Sequence, residues 1–207
     1  MTDITIRTEE ERDRRGAEII AREAFWNVYR PGCLEHFVLH RYRSFPDFIS
    51  ELCLVAETGG RLAGQIMWSR SHIDLAGGGR LSLATFGPVS VLPEYQGRGI
   101  GARLIETSMA KARAMGIPAV VIEGSPGYYT RFGFRAASDF AIRYAGVPAD
   151  ADASFFMAKE LAPGALSAAA GVYCDPPGYD VSEAEADAFD AGFPDKKEKK
   201  RLPGQLF

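Results

Sequence analysis

Little in this 207-residue chain is extreme, and each shortage excludes something. Cysteine is scarce: Cys33, Cys53 and Cys174 lie far apart and are odd in number, which argues against a disulfide framework. No apolar run approaches the length of about 18 residues that a membrane-spanning helix needs. The opening MTDITIRTEEERDRR has no apolar core for a secretory signal and is too acidic for a transit peptide. Neither sign of charge dominates, since 24 Lys and Arg against 27 Asp and Glu leave −3. A nucleic-acid partner calls for a strongly basic face, so none is expected. No internal repeat is found. The expectation is a cytoplasmic, reduced protein with no membrane partner. With 46% hydrophobic residues, the chain is long enough to bury about two thirds of its unfolded surface without staples.

What is present reads as a small α/β domain. Residues 4–7 form a short strand. Thr8 and Glu11 make a capping-box pattern that predicts a helix from Glu9 to Phe25. An aromatic-rich stretch follows (Phe25, Trp26, Tyr29, Phe37, Tyr42, Phe45, Phe48), with a second short helix over 33–43. Most of these rings read as core, and some as walls of a pocket. A hairpin takes strand 53–57 through Gly59-Gly60 to a return strand over 61–75, and a third strand runs over 81–92. Gly87-Pro88 within that third strand suggests a bulge. From Ile100 the apolar residues Leu104, Ile105, Met109, Ala112 and Met115 step as in an amphipathic helix. That helix ends at Gly116, where a left-handed residue belongs. Ala119-Val120-Val121-Ile122 reads as a strand buried on both faces. A short helix from Tyr128 to Phe132 ends at Gly133, with strands from Phe134 and around 139–145 and 154–160. Beyond Pro163 the chain thins in apolar residues, although Ser182 and Glu185 cap a helix over 183–189. Residues 195–201 are a charge run, read as a solvated tail or as a grip on a ligand phosphate.

The most informative stretch is Gln96-Gly97-Arg98-Gly99-Ile100-Gly101-Ala102, at the start of the central helix. The first amides of a helix have no intrahelical acceptor and sit at the positive end of its dipole. Alternating glycines let a bulky anion approach them, which suits a phosphate or diphosphate. Each dipole contribution is worth only ~0.3–1 kcal/mol at an exposed site, so several amides must converge on the same oxygens. Gly97-x-Gly99-x-x-Ala102 also satisfies a dinucleotide-binding pattern, with Glu123 where a ribose-binding acid would stand. Against that reading, Pro93-Glu94-Tyr95-Gln96 separates strand from glycine, and an antiparallel meander precedes it.

The segment from Val89 to Gly101 resembles motif A of the GNAT superfamily of N-acetyltransferases, whose Q/R-x-x-G-x-G/A core is met by Gln96, Gly99 and Gly101. Tyr129-Thr130-Arg131-Phe132-Gly133-Phe134 resembles the Y-x-x-x-G-F ending of motif B. The resemblance covers about residues 3–160 and implies a mixed α/β fold. Its central, mostly antiparallel sheet splays between the fourth and fifth strands and is flanked by helices. Residues 1–160 would then be the acetyl-CoA-binding domain and 161–207 a C-terminal extension on the same domain. The extension is expected to cover the sheet, shape the acceptor site or mediate a homodimer. The resemblance places the coenzyme diphosphate on the amides from Gly97 to Ala102, with Arg98 in reach of a phosphate, and the pantetheine arm along Val89-Ser90-Val91. It implies acetyl-CoA as co-substrate, no metal, and a small-molecule or peptide amine as acceptor.

Acetyl transfer needs a neutral nucleophile, a polarised thioester and a proton for the departing thiolate. A backbone amide near Val89 to Val91 would polarise the carbonyl. The resemblance makes Tyr129 the general acid, a phenol with an ordinary pKa of about 10, with Tyr128 its neighbouring competitor. Some members carry a glutamate base on the strand that here runs over 81–92, but the matching place holds Thr85. Glu94 and Glu123 read as structural, a water chain is preferred, and the base stays unassigned. Cys33, His36 and His40, with Glu35 nearby, fall on one helix face, yet the H-E-x-x-H order of zinc sites is absent. They read as ordinary histidines. No cysteine shows the local signature of a nucleophile. The alternatives are an acetyl-CoA sensor without transfer and an NAD(P)-dependent oxidoreductase.

Overall fold

The computed structural model describes residues 4–148, 150–193, 197–203 and 205. The strands form a mixed sheet in the order β1-β2-β3-β4-β5-β8-β6, with β9 joining β3 and β7. The strands are β1 Ile4–Thr8, β2 Leu54–Thr58, β3 Arg61–Leu75, β4 Arg80–Val91, β5 Ala119–Glu123, β6 Arg135–Ala136, β7 Ile142–Tyr144, β8 Phe156–Glu160 and β9 Gly171–Tyr173. The helices are α1 Arg14–Phe25, α2 Glu35–Tyr42, α3 Ile100–Ala114, α4 Pro126–Tyr129 and α5 Glu183–Asp190. The expected mixed fold is the one observed. β4 pairs with β5 and β7 with β9 in parallel, while β1 with β2, β2 with β3, β3 with β9, β5 with β8 and β6 with β8 are antiparallel.

The chain forms two compact units. The first holds the residues up to Met67, Pro88–Thr107 and those from Pro177 onward. Here β1 pairs with β2, and β2 with the start of β3, all antiparallel. Helix α1 starts later than the Thr8/Glu11 pattern predicts. Asp13, not Glu11, closes the cap: its Oδ2 accepts the Glu10 amide at 2.8 Å and is clamped by Arg7. A 3-10 turn, Glu11–Asp13, therefore precedes the α-helix. Ala17 and Ala21 of α1 pack with Val38, Leu39 and Tyr42 of α2 in one apolar cluster. Tyr42 is fully buried, so this ring belongs to the core, whereas Tyr29 is exposed. His36 is buried between Phe189 and Phe193, and desolvation lowers its pKa to about 4. His40 instead hydrogen-bonds Glu18 at 2.9 Å. The Ser182/Glu185 box starts α5 as the sequence predicts, and Arg22 fixes its end through Asp190 at 2.5 Å. Asp195 and Lys196 of the charge run lie outside the described residues. Its described part is tied down: the Glu198 carbonyl accepts from Trp26 Nε1 at 3.1 Å and Asn27 Nδ2 at 3.0 Å.

The second unit holds Trp68–Gly87 and Ser108–Pro176. The run Ala119-Val120-Val121-Ile122 is buried throughout, with β8 antiparallel on one edge of β5. On its other edge the pairing with β4 covers only Ala84↔Val120 and Thr85↔Val121, while β4 itself continues to Val91. Gly116 and Gly133 take φ of 79° and 82°, ending their helices in the left-handed region as predicted.

One strand escaped the sequence reading. β9 lies in the apolar-poor stretch after Pro163 and pairs antiparallel with the end of β3, Ile73↔Tyr173 to Leu75↔Gly171, and parallel with β7. With three residues it has no readable period. Gly171 allows the close approach: a Cβ there would stand 2.2 Å from the Asp74 carbonyl oxygen. Gly171→Ala should therefore push β9 off β3 and cost about 1–3 kcal/mol. Urea unfolding checks this, and an unchanged midpoint would show that β9 tolerates a side chain there.

Candidate functional site: an open helix N-terminus and a tyrosine cluster

In the first unit, β4 leads through a 3-10 turn, Pro93–Tyr95, into the glycine turn. That turn is the insertion that sets this chain apart from a strand running directly into its first glycine. Gly97 and Gly99 adopt φ of 73° and 80°, which costs a side-chain-bearing residue about 1–2 kcal/mol. A Cβ at either would meet nothing within 4 Å. These glycines serve the backbone's direction, and the space above them is open.

None of the backbone amides from Gly97 to Ala102 has a hydrogen-bond acceptor among the described residues. The first donor beyond them is Arg103, to the Gly99 carbonyl at 3.0 Å. Gly97, Arg98 and Gly99 are exposed, and Gly101 and Ala102 are half-buried. The flanking side chains are engaged in shaping the turn. Gln96 Nε2 donates to the Val91 carbonyl at 3.1 Å, and Arg98 Nη2 donates to the Glu94 carbonyl at 2.7 Å. The Arg98 guanidinium also lies over the Tyr95 ring, 5.2 Å from its centroid.

Two residues of β3 that the sequence reading passed over hold this region in place. A Cβ on Gly64 would come within 3.0 Å of Ile100 Cγ2 and of Leu104 Cδ1, so its absence lets the start of α3 settle onto the strand. Buried Gln65 donates through Nε2 to the Pro88 carbonyl at 3.1 Å and to Ser90 Oγ at 2.8 Å. Ser90 is thereby turned inward, while Val89 and Val91 point to the half-open side. A glycine and a polar residue inside an apolar strand were the available signals.

In the second unit, Tyr129 ends α4 and packs among rings. Its centroid lies 6.2 Å from that of Phe86, 5.8 Å from Phe134 and 5.0 Å from Tyr128. Tyr128 is covered instead by the Arg131 guanidinium at 3.9 Å. Gly124 makes room for the Tyr129 ring, since a Cβ there would sit 2.2 Å from Cε2. At the end of β5, Glu123 Oε1 accepts from the Tyr144 hydroxyl at 3.1 Å, and that hydroxyl also bonds Asp175. Crowding by neighbouring atoms and the Asp175 charge raise the Glu123 pKa to about 7. No group of His, Cys, Asp or Glu among the described residues has a metal-holding arrangement. The three cysteines are free, two of them buried, and burial pushes the Cys33 thiol up.

Gly124→Ala should displace the Tyr129 ring while leaving β5 paired. The tyrosine ring signals in an NMR spectrum would report it, and unmoved Tyr129 resonances would show the ring has another resting place.

This arrangement has known counterparts. A family model described as an acetyltransferase (GNAT) domain matches residues 5–137. The uncharacterized N-acetyltransferase YhbS of Escherichia coli K12 is 28% identical over 170 residues, 81% of this chain and 93% of that protein. YjhQ of the same organism, also named an uncharacterized N-acetyltransferase, is 37% identical over 83 residues. That match spans 40% of this chain and only 45% of YjhQ. Among solved structures, YhbS in complex with CoA superposes with a TM-score of 0.74 at 25% identity, covering 87% of this chain and 94% of that one. A GNAT acetyltransferase from Brucella melitensis in complex with acetyl-CoA gives 0.68 at 28% identity, covering 87% and 100%.

Proposed function

Because the chain belongs to the GNAT family of acetyltransferases, we propose that it moves an acetyl group from acetyl-CoA to a primary amine by direct attack in a ternary complex. The observation that carries this reading is the set of amides from Gly97 to Ala102, none of which has an acceptor among the described residues. A buried or half-buried donor left unpaired is costly. A diphosphate supplies several acceptor oxygens at once and places its charge at the positive end of α3. The relatives solved with CoA and acetyl-CoA support the same ligand here.

The roles then follow along the chain. Gly97, Arg98, Gly99, Ile100, Gly101 and Ala102 bind the diphosphate through their peptide nitrogens. Gln96 holds the turn from outside, and Arg98 braces it against Glu94. The segment Val89-Ser90-Val91 takes the pantetheine arm as an added strand, and one of its amides polarises the thioester carbonyl. Holding donor and acceptor together provides much of the rate, since oriented groups react as if at about 10⁵–10⁸ M. Tyr129 gives its proton to the departing thiolate. Tyr129 is favoured over Tyr128 because Gly124 makes room for its ring, whereas Tyr128 is capped by Arg131. Residues 1–160 carry the catalytic body and 161–207 complete it, and the free cysteines suit the reducing cytoplasm.

An acetyl-CoA sensor would bind the coenzyme and release no thiol when offered an amine panel; a transferase releases thiol. Gly101→Asp should weaken acetyl-CoA binding at least about 100-fold, because a carboxylate would meet the diphosphate and each lost charge-assisted contact is worth ~1.5–3 kcal/mol. Unchanged affinity by calorimetry would defeat the cradle. Tyr129→Phe should lower turnover by about 10²-fold or more with coenzyme affinity kept. Full turnover in that variant would pass the proton to Tyr128 or water.

A further inference from the structure

At the end of β5, three elements bring polar side chains to one face of the second unit's sheet. Thr85 pairs with Val121, and Glu123 with Phe156, so Thr85, Val121 and Glu123 share a face by strand parity. Tyr173 pairs with Tyr144 across β9 and β7, and Asp175 follows two residues later. Contacts join them. Tyr144 bonds both Glu123 and Asp175, so one hydroxyl gathers the two carboxyls, and Tyr173 lies against Asp175, Ser71 and Thr85. Ser69 stands on the same face of β3 as Ser71. Its Oγ is fully buried and has no hydrogen-bond partner among the described residues. The chain alone leaves this polar floor incomplete, while Glu123 and Asp175 at its rim are exposed.

Resting on the acetyl-transfer reading above, we infer that Glu123 and Asp175 together seat the acceptor's ammonium group and take the proton it must lose before it attacks. Two carboxyls gathered on one hydroxyl repel when both are ionised, so the pair holds a proton to higher pH than a lone carboxyl does. An arriving ammonium relieves that repulsion. Crowding by neighbouring atoms raises the Asp175 pKa as well, and Glu123 at about 7 is a base matched to work near neutrality. The titratable groups facing Glu123 are Tyr144 from β7, and Tyr173 and Asp175 from β9 and its exit; β8 faces it with Phe156. Tyr144 and Tyr173 are positioning residues, holding the two carboxyls together.

In the step itself an ammonium N–H bond breaks and its proton passes to the ionised pair. The freed lone pair forms the C–N bond at the thioester carbonyl, and the C–S bond breaks with its electrons on sulfur. The nitrogen loses a second proton as the amide forms. Of the two protons, one ends on the coenzyme thiol and one passes from the pair to water.

The test is thiol release from acetyl-CoA with propylamine as the probe acceptor, followed from about pH 5.5 to 9, beside calorimetry of acetyl-CoA binding. In the wild type kcat/KM should climb about tenfold per pH unit to a bend near the Glu123 value of about 7, then level. Glu123→Gln should lower the plateau about 100-fold and erase the bend. Asp175→Asn should move the bend down by about one unit, because it removes the neighbouring negative charge. A merely structural role would not move it. If Glu123→Gln does not fold, the bend in Asp175→Asn decides alone. A bend unmoved by Asp175→Asn overturns the inference. Wild-type protein that fails to bind acetyl-CoA, or binds it and releases no thiol, overturns instead the transfer reading beneath it.

Discussion

Peptide nitrogens at the start of α3 that find no acceptor among the described residues are the constraint from which the rest of the first unit takes its form. Every helix has such orphans, and most proteins cover them with a capping side chain. Here the residues that could do so are occupied elsewhere: Gln96 reaches back to Val91, and Arg98 reaches back to Glu94. Gly97 and Gly99 take positive φ, and the space beside their Cα atoms is open. Gly64 lets the helix start close to β3, and Gln65 pins β4 at Pro88 and Ser90. Removing an internal cap costs a helix about 0.5–2 kcal/mol. In the proposed function an anion takes the place of that cap.

The second unit is organised by strand parity. Thr85 and Phe86 are neighbours on β4 and so project to opposite faces. The Tyr129 ring goes with Phe86, and the carboxyl pair shares the face of Thr85. In the proposed reaction this separates the proton donor from the proton acceptor, so the two do not neutralise each other. β9 supplies Tyr173 and leads into Asp175, which gives the segment after residue 160 a share in the chemistry.

Much of this was legible in the amino-acid sequence. The period change at Pro93, the glycine turn and the Ser182/Glu185 cap each carry a local physical signal, and α3, β5 and α5 lie where those signals put them. What was not legible depends on partners distant in the chain. Asp13 replaces Glu11 in the first cap because Arg7 competes for it. The strand β9 has too few residues to show alternation, and its place is set by bare Gly171 against Asp74. Glu123 looked like the polar end of a buried strand. Crowding by neighbouring atoms and the charge of Asp175, brought in from later in the chain, raise its proton affinity toward neutrality.

The most direct measurement is a titration of ¹⁵N-labelled protein with acetyl-CoA, following the amide resonances from Gly97 to Ala102. The account predicts that these signals move together and saturate with bound coenzyme, because their nitrogens donate to the diphosphate. Saturable binding that leaves all of them where they were in the free protein would contradict it.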